Sequence, residues 1–168
     1  IAAGRIATIV ALAAVLVFMG LAYGRFGLFA NAALLMNIAL IVGITSTLIS
    51  VVIGVIIGAI AGYFGGWVDE VLSLLTDALM AFPLIALLIV LAAVIGPSLT
   101  TTVIVIGATA WARYARVVRA EVMSVRERDF VTAARAIGAF DARIIFRHVV
   151  PNVLSSVIVL ASLSVGSI

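Results

Sequence analysis

Apolar residues in this chain come in long unbroken runs, with polar positions gathered between them, so neither the strict alternation of a half-buried strand nor a narrow helical stripe is the main signal. A run of about 20 apolar residues, rising about 1.5 Å each, reaches across the hydrocarbon of a bilayer as a helix. Residues 6–23 form the first such run, between Arg5 and Arg25, and no soluble stretch follows it as one would follow a cleaved signal peptide. Residues 32–64 form the second, after an expected external segment at 24–31, and close on the interfacial pattern Tyr63-Phe64-Gly65-Gly66-Trp67. Residues 68–96 form the third, opening on Asp69 and Glu70 and ending at the turn pair Gly96-Pro97, with a kink expected at Pro83. The run from Leu99 to Trp111 is too short to cross alone and must continue to about residue 122, where its arginines reach water. Residues 153–168 open a fifth span and stop partway. The pattern predicts an all-α polytopic membrane protein with about five spans, the last incomplete.

Composition agrees. Of 168 residues, 66% are hydrophobic and 10% charged, and the mean hydropathy is +1.43, whereas soluble domains are about half apolar and a quarter charged. The net charge of +3 and pI near 10.2 would suggest nucleic acid for a soluble protein. Here all basic residues are arginine, and eight of them fall within 113–147, which marks topology and not a nucleic-acid partner. That block outweighs Glu121, Glu127, Asp129 and Asp141, so it belongs in the cytoplasm, with 65–66 on the same side and 24–31 and 96–97 outside. The lack of cysteine removes disulfides, thiolate metal sites and cysteine nucleophiles.

Several positions stand out from the runs. Gly54, Gly58 and Gly62 recur at four-residue spacing and give one helix face a surface for close packing. Asp77 lies inside the third run and is either functional or near enough to the interface to reach water. Arg113, Arg116 and Arg119 read as anchors of the fourth span. The segment 124–151 is the one long polar insert. Asp129 is expected to cap a short helix in which Phe130, Ala133, Ala134 and Ile137 share a face, and Gly138 to stop it. Asp141 is expected to cap a second short helix with Ile144, Ile145 and His148 on one side and Arg143 and Arg147 on another, after which Pro151 either ends it or starts the next span. The small face around Ala133 and Ala134 suits another protein's groove better than a lipid surface.

The run Thr132-Ala133-Ala134, three residues, Gly138, nine residues, His148-Val149-Val150-Pro151 resembles the EAA loop of bacterial ABC importer permeases. That loop runs E-A-A, three residues, G, nine residues, I-x-L-P. The stretches Ala61-Gly62-Tyr63-Phe64-Gly65-Gly66-Trp67, Ala81-Phe82-Pro83, Tyr114-Ala115-Arg116-Val117-Val118-Arg119 and Val125-Arg126-Glu127-Arg128-Asp129-Phe130, with Arg147-His148-Val149-Val150-Pro151-Asn152, are similar to the C-type subunits of the dipeptide, oligopeptide and nickel permeases. The resemblance runs from about Leu40 onward. It implies a type I ABC importer permease fold over 37–168, after a first span and a poorly matched segment at 1–36. It also implies a bacterial inner-membrane location, a second homologous permease, two ATP-binding cassette subunits and an external solute-binding protein. Its coupling residues would be Phe130, Thr132, Ala133, Ala134, Arg135, Ile137, Gly138 and Pro151. ATP and Mg would sit on the partner subunits, since the chain lacks G-x-x-x-x-G-K-S/T and holds no lysine or cofactor motif of its own. The protein is then not itself an enzyme.

Three departures qualify the resemblance. Thr132 replaces the loop's usual glutamate, the polar external motif G-T-D-x-x-G-R-D before the second span is absent, and the end of the fifth span and a sixth are unmatched. The chain therefore reads as cut short. A di- or oligopeptide is the expected substrate, with nickel or glutathione as alternatives. A secondary transporter would call for a symmetric repeat. A channel would call for a polar ring, for which only Thr100, Thr101, Thr102 and Asp77 are at hand. His148 stands where the loop has isoleucine and reads as structural and not as a catalytic base.

Overall fold

The computed structural model describes residues 2–96 and 98–166 and is helical through nearly all of them, with no strand among the described residues. Pro97, half of the expected Gly96-Pro97 turn, lies outside the described residues. The chain divides into two compact units, residues 1–41 and 42–168.

The first unit holds α1 (Ala2–Tyr23) and the start of α2 (Arg25–Phe64). Gly24, at φ 52°, is the turn between them. The segment 24–31, expected on the external side, is helical from Arg25 onward, and the helicity has a local cause. No proline interrupts 25–36, and the Asn31 amide, which could have started a turn, donates to the Leu16 carbonyl at 2.9 Å. Gly27 lies so close to the backbone of Met19 that a Cβ there would collide with its carbonyl.

The second unit is built around α5 (Leu99–Val125), against which α3 (Gly66–Ala81), α4 (Leu84–Ile95) and α8 (Val150–Val165) pack. The kink expected at Pro83 is a full break: Ile85–Ile95 leaves α3 at 83°. Proline forces the residue before it out of the helical region, and Phe82 is extended at φ −83°, ψ 130°. With 16 and 12 residues, α3 and α4 are each too short to cross alone. At the start of α5, Ser98 accepts from the Thr101 amide at 3.0 Å, and Thr102 donates to the Ser98 carbonyl at 3.0 Å. These threonine hydroxyls serve the helix start.

The glycine face of α2 lies directly on α5. A Cβ at Gly54 would come within 2.8 Å of the Trp111 carbonyl, at Gly58 within 2.5 Å of the Ala115 carbonyl and at Gly62 within 2.6 Å of the Arg119 carbonyl. The same four-residue step continues upstream through Ser50 and Ser46, both fully buried, and Ser50 donates to the Gly107 carbonyl at 3.1 Å. Because the paired residue numbers rise together, α2 and α5 run parallel.

Among the described residues, two helical runs are long and apolar enough to cross a membrane, Arg25–Phe64 and Asp141–Val165, with a third if the bent pair is one span. The 27 residues of α5 give it the length, about 40 Å, but its second half carries Arg113, Arg116, Arg119 and Glu121. The stretches expected to be five spans correspond to α1, α2, α3–α4, α5 and the run ending in α8, of which α2 and the last run meet the length and hydropathy of a span, as α3–α4 does if the pair counts as one.

Candidate functional site

The polar insert folds as α6 (Asp129–Ala136), a glycine turn, and α7 (Asp141–Ile144) leading through a π-helical turn at Ile145–Val149 into α8. Asp129 and Asp141 do not cap by side chain, contrary to expectation. The N-cap positions fall one residue earlier, on Arg128 and Phe140, and both aspartates sit in the first turn, where a negative charge faces the positive helix end. Gly138 does stop α6, at φ 83°. Its amide donates to the Arg135 carbonyl at 3.0 Å and the next amide, of Ala139, to the Ala134 carbonyl at 3.1 Å. These are the two bonds of a Schellman termination, which glycine favours because it takes positive φ freely.

The second helix is not the separate element that was expected. It runs without a break past Pro151, which stands in the first turn of α8. A proline ring would crowd the carbonyl four residues back, and the wider π turn just before it loosens that region, with the Val150 amide reaching back to the Ile145 carbonyl. The Asn152 amide side chain satisfies the His148 carbonyl at 2.6 Å. Pro151 itself is exposed.

Burial divides the insert into two faces. Val131, Ala134, Ile144, Ile145 and Val149 point into the core formed with Val118, Val122 and Val125 of α5. Ala134 is therefore turned inward, and this corrects the expectation that it shares an outward face with Ala133. The outward side carries Phe130, Thr132, Ala133, Arg135 and Ile137, the last at 86% exposure. Thr132 only reaches back to the Arg128 carbonyl, at 3.5 Å. Phe140 and Phe146 extend the apolar part of this face, bordered by exposed Arg143 and Arg147, with the Arg143 guanidinium 4.8 Å from the Phe140 ring centre. The ring of His148 lies 6.4 Å from that of Phe130 and so packs the π turn against α6.

Polar contacts tie the insert to the end of α2. The Tyr63 hydroxyl donates to Asp141 at 2.6 Å and accepts from Arg135 at 3.1 Å. Hydrogen bonding to that hydroxyl pushes the Arg135 guanidinium further above its usual range, so it stays charged. Arg126 donates to the Gly62 and Tyr63 carbonyls at 2.9 and 3.2 Å, and so closes the C-terminus of α2. Gly62, the last rung of the glycine face, thereby joins the site. Gly54 and Gly58 lie further along α2, away from it.

Between α3 and α5 stand two ion pairs, Asp69 with Arg119, where Nη2 meets Oδ2 at 2.6 Å, and Asp77 with Arg116. They border a cavity of about 420 Å³ with Ser73 and Thr76. Two of the three arginines read as anchors are thus paired, and the acid inside the third run has its own counter-charge. Neither these pairs nor the Tyr63 contacts were expected, because each joins residues at least 39 positions apart.

Residues 54–168 match the family described as the binding-protein-dependent transport system inner membrane component. The chain is 42% identical over 103 residues to the dipeptide transport system permease protein DppC of Alkalihalophilus pseudofirmus, covering 61% of this chain and 34% of that protein. It is 44% identical over 131 residues to the oligopeptide transport system permease protein OppC of Escherichia coli, covering 78% and 43%. A putative peptide permease protein of Brucella ovis is 38% identical over 131 residues, with the same shares of 78% and 43%. The chain spans between about a third and two fifths of the length of these curated relatives.

Proposed function

Since the chain belongs to the binding-protein-dependent transport system inner membrane component family, and is a multi-pass membrane protein, we propose that it is a permease subunit of an ATP-driven importer of di- or oligopeptides. It forms the translocation path together with a second permease of similar build. An external binding protein delivers the peptide, and two ATPase subunits, which carry the ATP and Mg, dock beneath. The chain carries out no hydrolysis; its part is to turn ATPase closure into movement of its spans.

One observation carries this reading: α6 is fixed inward by Val131 and Ala134 while Ala133 and Ile137 stand exposed on its other side, with Phe130 exposed beside His148. A helix held on one face and bare on the other, on the side of the arginine block, suits a docking lever. Force applied to Phe130, Ala133 and Ile137 reaches α5 through Val131 and α8 through the continuous run from Asp141, a rigid-body transfer between two states. Thr132 and Arg135 border that face, Gly138 sets the angle of the second helix, and Pro151 stands where the run enters α8.

Ala133→Arg tests it. A long charged side chain on the docking face leaves an unpaired charge in a closed interface, so the purified complex is expected to lose its ATPase subunits while the permease keeps its fold. Full retention of the ATPase with normal uptake would show that this face docks nothing. Ala134→Arg is the contrasting variant: it places the charge in the chain's own core and is expected to destabilise the permease itself.

A further inference from the structure

The coupling reading explains the outward face of α6 but leaves Tyr63 without a role. Tyr63, in the last turn of α2, is only 6% exposed and packs in the same core as Val131 and Ala134. Its hydroxyl donates to the Asp141 carboxylate and accepts from the Arg135 guanidinium, and the Arg135 Cζ also lies 5.7 Å from the ring centre. A phenol can give one proton and accept others, so this one oxygen joins α7, α6 and α2, and two opposite charges meet through it. Hydrogen bonds to ionised partners are about twice as strong as neutral ones. Next to it, Gly62 lies on α5 with no side chain between the helices, and Arg126 holds the carbonyls of both residues.

We infer that the Tyr63 hydroxyl is a positioning group that locks the coupling loop to α2, so that displacement of α6 turns α2 together with α5. The inference rests on the docking role proposed above. Apolar packing through Val131 and Ala134 holds α6 against α5 whether or not the hydroxyl is present, so docking and transmission are separable. Tyr63 meets the docking face at its border, through Arg135, and is itself buried. Without its hydroxyl the ATPase subunits still bind and hydrolyse ATP, but α6 moves against α2 and the stroke is lost to the span.

The test uses the whole complex, with its partner permease, ATPase subunits and binding protein, reconstituted in vesicles. Tyr63→Phe removes one oxygen and keeps the ring. It is expected to retain the ATPase subunits and basal ATP hydrolysis, while uptake of radiolabelled trialanine per ATP falls by about tenfold, the effect of one hydrogen bond to a charged group. Stimulation of ATP hydrolysis by the binding protein should fall in parallel. Asp141→Asn, whose amide oxygen still accepts, should lose less than Asp141→Ala. The double variant Tyr63→Phe with Asp141→Ala should lose no more than the worse single one, since both remove the same contact. Unchanged stimulation and uptake in Tyr63→Phe overturn the inference, as does loss that adds in the double variant. Loss of the ATPase subunits from both Tyr63→Phe and Asp141→Asn also overturns it, because the hydroxyl would then be a structural tie. Failure of the wild-type chain to retain ATPase subunits would instead strike at the docking reading.

Discussion

Gly138 shows how much one residue can decide in this molecule. Its φ of 83° is in a region that side-chain-bearing residues avoid, yet a Cβ added there would meet nothing within 4 Å. Any cost of substitution is therefore backbone strain alone, about 1–2 kcal/mol for most residues and less for asparagine, which tolerates the left-handed region. The chain can relieve that strain only by re-aiming α7, and α7 carries Asp141 and leads directly into α8. Uptake is expected to fall in the order glycine, asparagine, alanine, valine at this position, with the ATPase subunits retained throughout. Gly138→Val with wild-type uptake per ATP would show that the angle between α6 and α7 carries no coupling. This position was legible in the sequence because a lone glycine after an apolar-periodic octet has few other uses. Tyr63 was not. Its aromatic ring fits the interface pattern of a span end equally well, and nothing local announces that its hydroxyl meets residues 72 and 78 positions away.

At the scale of elements, the spacing of small residues fixes where α2 can lie. Gly54, Gly58 and Gly62 were readable from their period, and Ser46 and Ser50 extend that period to five positions, a continuation hidden because serine is polar and the eye follows glycine. What the period cannot tell is which helix lies on that face. The backbone of α5 supplies the answer, and its carbonyls cannot retreat as a flexible side chain could. Gly58→Leu is expected to cost about 3 kcal/mol or more through overpacking, with Gly58→Ala intermediate, read as loss of thermal stability in detergent. Gly43→Ala is the internal control: its Cβ would come no closer than 3.5 Å to the Val165 carbonyl, an ordinary contact, so its melting temperature should stay near wild type. Equal effects at Gly43 and Gly58 would mean that the close approach to α5 does not hold in the membrane. Pro83 and Pro151 teach the opposite lesson about reading elements. Pro83 breaks its helix and Pro151 does not, although each follows an apolar stretch. The difference lies in the residues before them: Phe82 is extended, whereas Val150 stays helical behind a π turn. No pattern of apolar and polar positions distinguishes those two cases.

For the molecule as a whole, the remaining question is which ends face which side. The arginine block alone gives a bias, and its force is reduced now that Arg116 and Arg119 are paired with acids. The packing adds an argument that does not depend on charge. Parallel α2 and α5 must bring their C-terminal ends to one side, and the structure brings Arg126 against the last carbonyls of α2. The bent pair α3–α4 lies between them in sequence, so it must carry the chain back across before α5 begins. Residues 62–66 and 126–149 therefore share one side, and the start of α5, about 40 Å along that helix, is on the other. Arg128, Arg143 and Arg147 make no ion pair among the described residues, and the positive-inside bias makes the cytoplasm the side expected for this end. Thr100 and Ala142 are both exposed and sit at the two ends of this arrangement. In intact cells, Thr100→Cys should react with an impermeant thiol reagent from outside, and Ala142→Cys only after the membrane is opened. The chain has no cysteine of its own to confuse the readout. Labelling of both from the same side would mean that α5 does not cross, and the docking face of α6 would then have no ATPase within reach.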